Sequence, residues 1–141
     1  MILSIEPILL IEGDVSDKKN ITSALEATEV KCPLIHMNTN EEALIYLNNR
    51  KNIQPWLIFL GLNEQKLDGF NLLKTIKSNE NLKQIPVIVF ASSNEHCNVV
   101  RSFELGVAGY MVKSREISEM TDTIKTIMQY WTLSELPPAG G

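Results

Sequence analysis

Two kinds of hydrophobic pattern alternate along the chain. Short, nearly continuous apolar runs occur at "PILLIE" (7–12), "CPLIHM" (32–37), "PWLIFL" (55–60), "IPVIVFA" (85–91) and "AGYMV" (108–112). Runs of this length with little polar alternation suit strands buried on both faces of a parallel sheet. Between them, apolar residues recur at a helical period. The spacing predicts a first helix from near Ser16, with Ile21, Ala24, Leu25 and Thr28 on its inner stripe. A second helix opens on "TNEE", Thr39 to Glu42, where a threonine and a glutamate can satisfy free backbone N–H groups as a capping box. The third, "FNLLKTIKSN", is stopped by Asn79. The fourth, "NEHCNVVRSFELG", closes at Gly106 as a left-handed cap, and the fifth, "ISEMTDTIKTIMQYWTL", is long.

Five strands alternating with five helices predict an α/β domain: a doubly wound five-stranded parallel sheet of flavodoxin-like type, with right-handed crossovers placing helices on both faces. Residues 1–130 are expected to form the domain and 131–141, ending in "LPPAGG", a tail. No internal repeat interrupts this order.

Composition narrows the function classes. The chain has 141 residues, 44% hydrophobic and 21% charged, which is ordinary globular usage. Its longest apolar runs are far too short to cross a bilayer, and "MILSIEPILL" has no basic leader, so a cytoplasmic protein is expected. Cys32 and Cys97 form neither a disulfide framework nor a metal motif and are expected to be reduced. His36 and His96 have no acid or cysteine at ligand spacing and are read as packing or surface residues. A formal charge of -4 argues against a nucleic-acid surface.

Ligands of doubly wound sheets gather at the carboxyl ends of the strands. The residues there are Glu12, Gly13 and Asp14 after the first strand, Gly61 after the third, Ala91, Ser92 and Ser93 after the fourth, and Lys113 and Ser114 after the fifth. With these in place, "ILLIEGDVSD", "PWLIFLGLNEQKLDGFNLLKTIK", "IPVIVFASS" and "ELGVAGYMVKS" resemble, in order and spacing, the receiver domain of two-component response regulators, the CheY-like fold, over roughly residues 7–128. The resemblance implies a phosphoryl group passed from a histidine kinase to an aspartate at the end of the third strand. Mg²⁺ bound to acids after the first strand assists, and a hydroxyl after the fourth and a lysine after the fifth contact the phosphoryl oxygens. It also implies that Gly61 stands in the aspartate's place, Gly13 in that of the second acid, and Ala91 in that of the hydroxyl. Only Glu12, Lys113 and the aromatic Tyr110 keep the active pattern. Phosphoryl transfer needs an oxygen nucleophile, a cation and donors to the equatorial oxygens. Glycine supplies no nucleophile, and one glutamate beside a lysine is a poor Mg²⁺ site. The expectation is a degenerate, metal-free pocket in which Glu12 and Lys113 neutralise each other, with no cofactor and no enzymatic activity.

Other readings of the same residues stand beside this one. Taken alone, Gly61 is a turn glycine. Asp14 is a displaced second acid or simply a neighbour, and Asp68 caps the third helix. Ser92 and Ser93 cap the fourth helix, with Ser92 a partial substitute for the lost hydroxyl. The chain is then a pseudo-receiver acting by protein contact, through a face that includes Val99, Phe103 and Tyr110. The partner is a histidine kinase, a phosphotransfer protein or another receiver. The alternatives are a phosphorylatable receiver using a substitute acid, or an acceptor-site variant of an active regulator. The end of the last helix, "MQYWTLSELPP", resembles the extension of phytochrome-associated single-domain regulators, and Tyr130 and Trp131 are candidate homodimer contacts unless Trp131 folds back on its own domain.

Overall fold

Successive side chains of a strand point to opposite faces of its sheet, so a strand covered on both sides must be apolar at every position. The central strands Ile8–Ile11 (β1), Leu57–Leu62 (β3) and Val87–Ala91 (β4) meet that demand, and with the half-buried edge strands Leu34–Met37 (β2), which carries His36, and Gly109–Val112 (β5) they form one parallel sheet in the order β2-β1-β3-β4-β5. The computed structural model describes residues 2–3, 6–62, 68–92 and 95–135, with only the main chain for residues 2, 3, 68, 96 and 97. Leu9, Ile11, Ile58, Leu60, Val87 and Val89 face one layer, and Ile8, Leu10, Leu57, Phe59, Ile88 and Phe90 face the other.

The helices are Val15–Glu26 (α1), Asn40–Asn48 (α2), Asp68–Ser78 (α3), His96–Glu104 (α4) and Ile117–Leu133 (α5). α2 and α3 supply Ala43, Leu47, Leu72, Leu73 and Ile76 to the first layer. α1 and α5 cover the second with Ile21, Ala24, Met120, Ile124 and Ile127, over an edge-to-face pair of Phe59 and Phe90 at 5.2 Å. Burying a leucine, isoleucine, methionine or phenylalanine of these layers contributes about 1.5–3 kcal/mol, so both layers stabilise the sheet between its helices.

Local signals set the helix ends. Asp14 caps α1 by accepting from the Asp17 N–H at 2.9 Å, and Thr39 caps α2 by accepting from the Glu42 N–H at 3.1 Å. α4 leads into Gly106, whose φ of 94° is the only left-handed backbone among the described residues.

Two expectations are corrected in detail. β3 does not stop at Leu60: Gly61 pairs with Phe90 and Leu62 with Ala91, because the β4 ladder continues alongside. Ser92 does not cap α4, which starts at His96 with Glu95 before it and no side-chain cap bond. Ser93 lies outside the described residues, as does the Asp68 side chain at the start of α3. α5 ends at Leu133, as the helical period predicted, and Trp131 lies within it and packs against the second layer. A further two-residue ladder, Ile2–Leu3 beside Val30–Lys31, was not anticipated.

Candidate functional site

The carboxyl ends of β1, β3, β4 and β5 bring Glu12, Gly61, Ala91 and Lys113 together. Glu12, immediately after β1, is 5% exposed, and its carboxylate is held on two sides. Oε1 accepts the Asp14 N–H at 3.1 Å, and Oε2 lies 3.0 Å from Lys113 Nζ. The second contact is at ion-pair distance, yet Oε2 accepts no well-directed hydrogen bond. It is therefore Coulombic attraction in a poorly hydrated place. Lys113 instead donates its directed bond to Asp17 Oδ2 at 2.8 Å, from the first turn of α1. Burial alone would lower the Lys113 pKa, but the Asp17 hydrogen bond and the Glu12 charge outweigh it and raise the value above the ordinary lysine range. Lys113 is thus a fixed cation between two carboxylates.

Gly61 faces this arrangement from β3. Its backbone angles are not left-handed, so the turn-glycine reading does not hold. A Cβ at this position would run into the Glu12 carboxylate, the far end of a flexible side chain, with Oε1 at 3.0 Å and Oε2 nearer still. The Glu12 head group fills the room that a side chain at 61 would use. Gly13 is less constrained, since a Cβ there would lie 3.3 Å from the Asn38 carbonyl oxygen, a tight contact that a small adjustment relieves. Ala91 is buried at the end of β4, and its carbonyl accepts the Lys113 N–H at 2.7 Å. Ser92 is exposed.

Asp14 caps α1 through Oδ1 and also borders the pocket described below. His36, on β2, donates from Nε2 to the Glu12 main-chain oxygen at 2.8 Å. An open pocket of about 410 Å³ lies in front, bounded among others by Gly13, Asp14, Asn38, Glu41 and Gly61. A hard divalent ion wants about six oxygens. Glu12 offers one carboxylate whose oxygens already face an N–H and an ammonium, and no group of three potential ligands occurs among the described residues. The donor set does not fit such an ion.

The other residues singled out lie apart from this pocket. Tyr110, on β5, is partly buried against the first layer. On α4, Val99 is partly buried and Phe103 is 51% exposed, while Arg101 sits over the Phe70 ring at 4.5 Å from its centroid. Tyr130 and Trp131 make an edge-to-face pair at 4.9 Å at the far end of α5. Cys32 has a free thiol whose pKa is raised by burial. Asp17 escaped the sequence reading. It lies 96 residues from Lys113, and its place in the first turn of α1 is the only signal that points it toward the pocket.

Comparison with known proteins places this geometry. Response regulator Rcp1 of Synechocystis sp. is 32% identical over 136 residues, covering 94% of this chain and 92% of that one. The crystal structure of the Mn²⁺-bound form of Rcp1 superposes with a TM-score of 0.84 at 31% identity, over 94% of this chain and 99% of that one. The phosphorylated cyanobacterial phytochrome response regulator RcpA gives a TM-score of 0.85 at 32% identity, over 96% and 100%. A family model described as the response regulator receiver domain matches residues 8–125. The sheet order, the pocket at its carboxyl end and this match agree, and the chain belongs to the response regulator receiver domains of two-component signalling.

Proposed function

We propose that this receiver works without phosphorylation, as a protein-binding module in the cytoplasm whose surface is held in one state, docking to a histidine kinase, a phosphotransfer protein or another receiver. The observation that carries the reading is the Glu12 carboxylate standing in the space of a side chain at Gly61 and paired with Lys113. The relatives Rcp1 and RcpA were captured with Mn²⁺ bound and phosphorylated, respectively. Here Gly61 supplies no nucleophilic oxygen, Gly13 supplies no second acid, and Ala91 supplies no hydroxyl to draw toward a phosphoryl group. Because the pocket already contains its own anion and cation, nothing in it changes charge on signalling. The face around Val99, Phe103 and Tyr110 is then a constant docking surface.

The test uses acetyl phosphate, and separately beryllofluoride, each with Mg²⁺. Intact mass should show no phosphoryl adduct, and amide NMR signals of Glu12, Gly61 and Lys113 should not move. A stoichiometric adduct, or saturable Mg²⁺-dependent shifts that vanish in Glu12→Ala, would overturn the proposal.

A further inference from the structure

A cavity of about 500 Å³ lies on the opposite flank of the sheet, between α1, the edge strand β2 and the segment joining them. Among the described residues β2 pairs with β1 alone, and the cavity lies between this sheet edge and α1, beside the short Ile2–Leu3 and Val30–Lys31 ladder. Its floor is apolar, built from Ile8, Leu25, Leu34 and Met128, with the partly buried Cys32 thiol beside them. The volume lies within the roughly 300–1,000 Å³ of small-ligand sites, which pair an apolar lining with a few polar groups.

The charges at its edge are unbalanced. Lys18, partly buried on α1, lines the cavity, and its side-chain ammonium makes no hydrogen bond or ion pair with the described residues. Lys31 donates to the Glu26 and Thr28 carbonyls at 2.9 and 3.0 Å, satisfying the end of α1 while keeping its positive charge at the rim. His36 forms part of the wall, and Glu26 is the single acid. An apolar floor under an unpaired lysine complements a molecule with an apolar body and one anionic head.

We propose that this cavity binds a small apolar carboxylate or similar monoanion, with Lys18 as its counter-ion. The site is separate from the Glu12–Lys113 pocket, although the His36 bond to the Glu12 main chain joins their walls. The test uses the full chain with three probes of equal length, each below its micellar concentration: decanoate, decanol and decyltrimethylammonium. Alkylation of Cys32 by N-ethylmaleimide, read by peptide mass spectrometry so that Cys97 does not interfere, reports occupancy. Only the thiolate reacts, so burial makes the reaction slow and easily protected against. Decanoate should protect Cys32 and shift the amide signals of Thr22, Leu25 and Leu34 more strongly than the other two probes. Lys18→Glu should weaken decanoate about tenfold, as expected for reversing one charge near a protein surface, and favour the cationic probe. Lys18→Gln should fall between them. Equal protection by all three probes, no protection by decanoate, or a decanoate affinity unchanged in both Lys18 variants would overturn the proposal.

Discussion

Glu12 and Lys113 decide what this molecule can do at the scale of a single residue. Glu12 is buried and Lys113 largely so, and removing the lysine leaves the Glu12 charge without its cation, which costs about 3 kcal/mol. Lys113→Met should therefore destabilise the protein by about that amount in urea unfolding at neutral pH. The pH dependence follows from the direction of the shift. A lysine whose pKa is raised on folding contributes stability that is complete below its unfolded value, close to 10.5, and is lost as pH rises through the higher folded value. The gap between wild type and Lys113→Met should be constant from neutral pH to near 10 and shrink above it; a gap that narrows on the acid side of neutrality instead would contradict the assignment. Gly61→Ala tests the space argument, because its methyl must displace the Glu12 head group, and a loss of about 1–3 kcal/mol is expected from overpacking. Full stability in Gly61→Ala would mean that Glu12 has another low-energy position. The sequence made the glycine at 61 legible as a departure from the pattern it resembles, since Gly61 falls within a recognisable run. It could not show that the Glu12 carboxylate stands in the room a side chain at 61 would use, because that depends on where a residue beside another strand points its head group.

At the scale of the element, the start of α1 separates two roles for Asp14. If Asp14 caps the helix, asparagine serves nearly as well and alanine costs about 1 kcal/mol. If it supplied an acid to a metal or a phosphoryl group, both substitutions would abolish that activity and asparagine would have no advantage. Thermal unfolding of Asp14→Asn and Asp14→Ala is expected to leave the first near wild type and lower the second. Equal destabilisation would indicate that Asp14 acts through its charge. Most elements were legible from the pattern alone, because strands buried on both faces are apolar throughout and the helices between them keep a helical period. Element ends were less so. β3 gains Gly61 and Leu62 from its neighbour's hydrogen bonds, a tertiary effect with no local sign. The pairing of Ile2–Leu3 with Val30–Lys31 involves segments too short to show a period. α4 begins later than its polar lead-in suggested, with no side-chain cap at Glu95 to mark it.

For the whole molecule, the open question is what covers the end of α5. Trp131 is partly buried against the α1–α5 layer, so it is part of the domain's own packing, and cutting the chain at Met128 would remove a core contact together with any interface. The residues that remain outside are Tyr130, 61% exposed, and Leu133, 86% exposed, one turn apart and therefore on one side of the helix. A tyrosine braced by a tryptophan edge and a leucine beside it make a small, rigid apolar surface of the kind that anchors protein contacts. A second copy of the chain presents the same surface, and a two-fold arrangement would bury both patches against each other. Sedimentation velocity at tens of micromolar should show a dimer for the full chain and a monomer for Leu133→Glu, whose melting temperature should stay near wild type because an exposed side chain contributes little to folding. Tyr130→Ser should weaken the dimer in the same direction. Should the full chain sediment as a monomer at that concentration, α5 ends in solvent and the regulator meets its partners as a single domain.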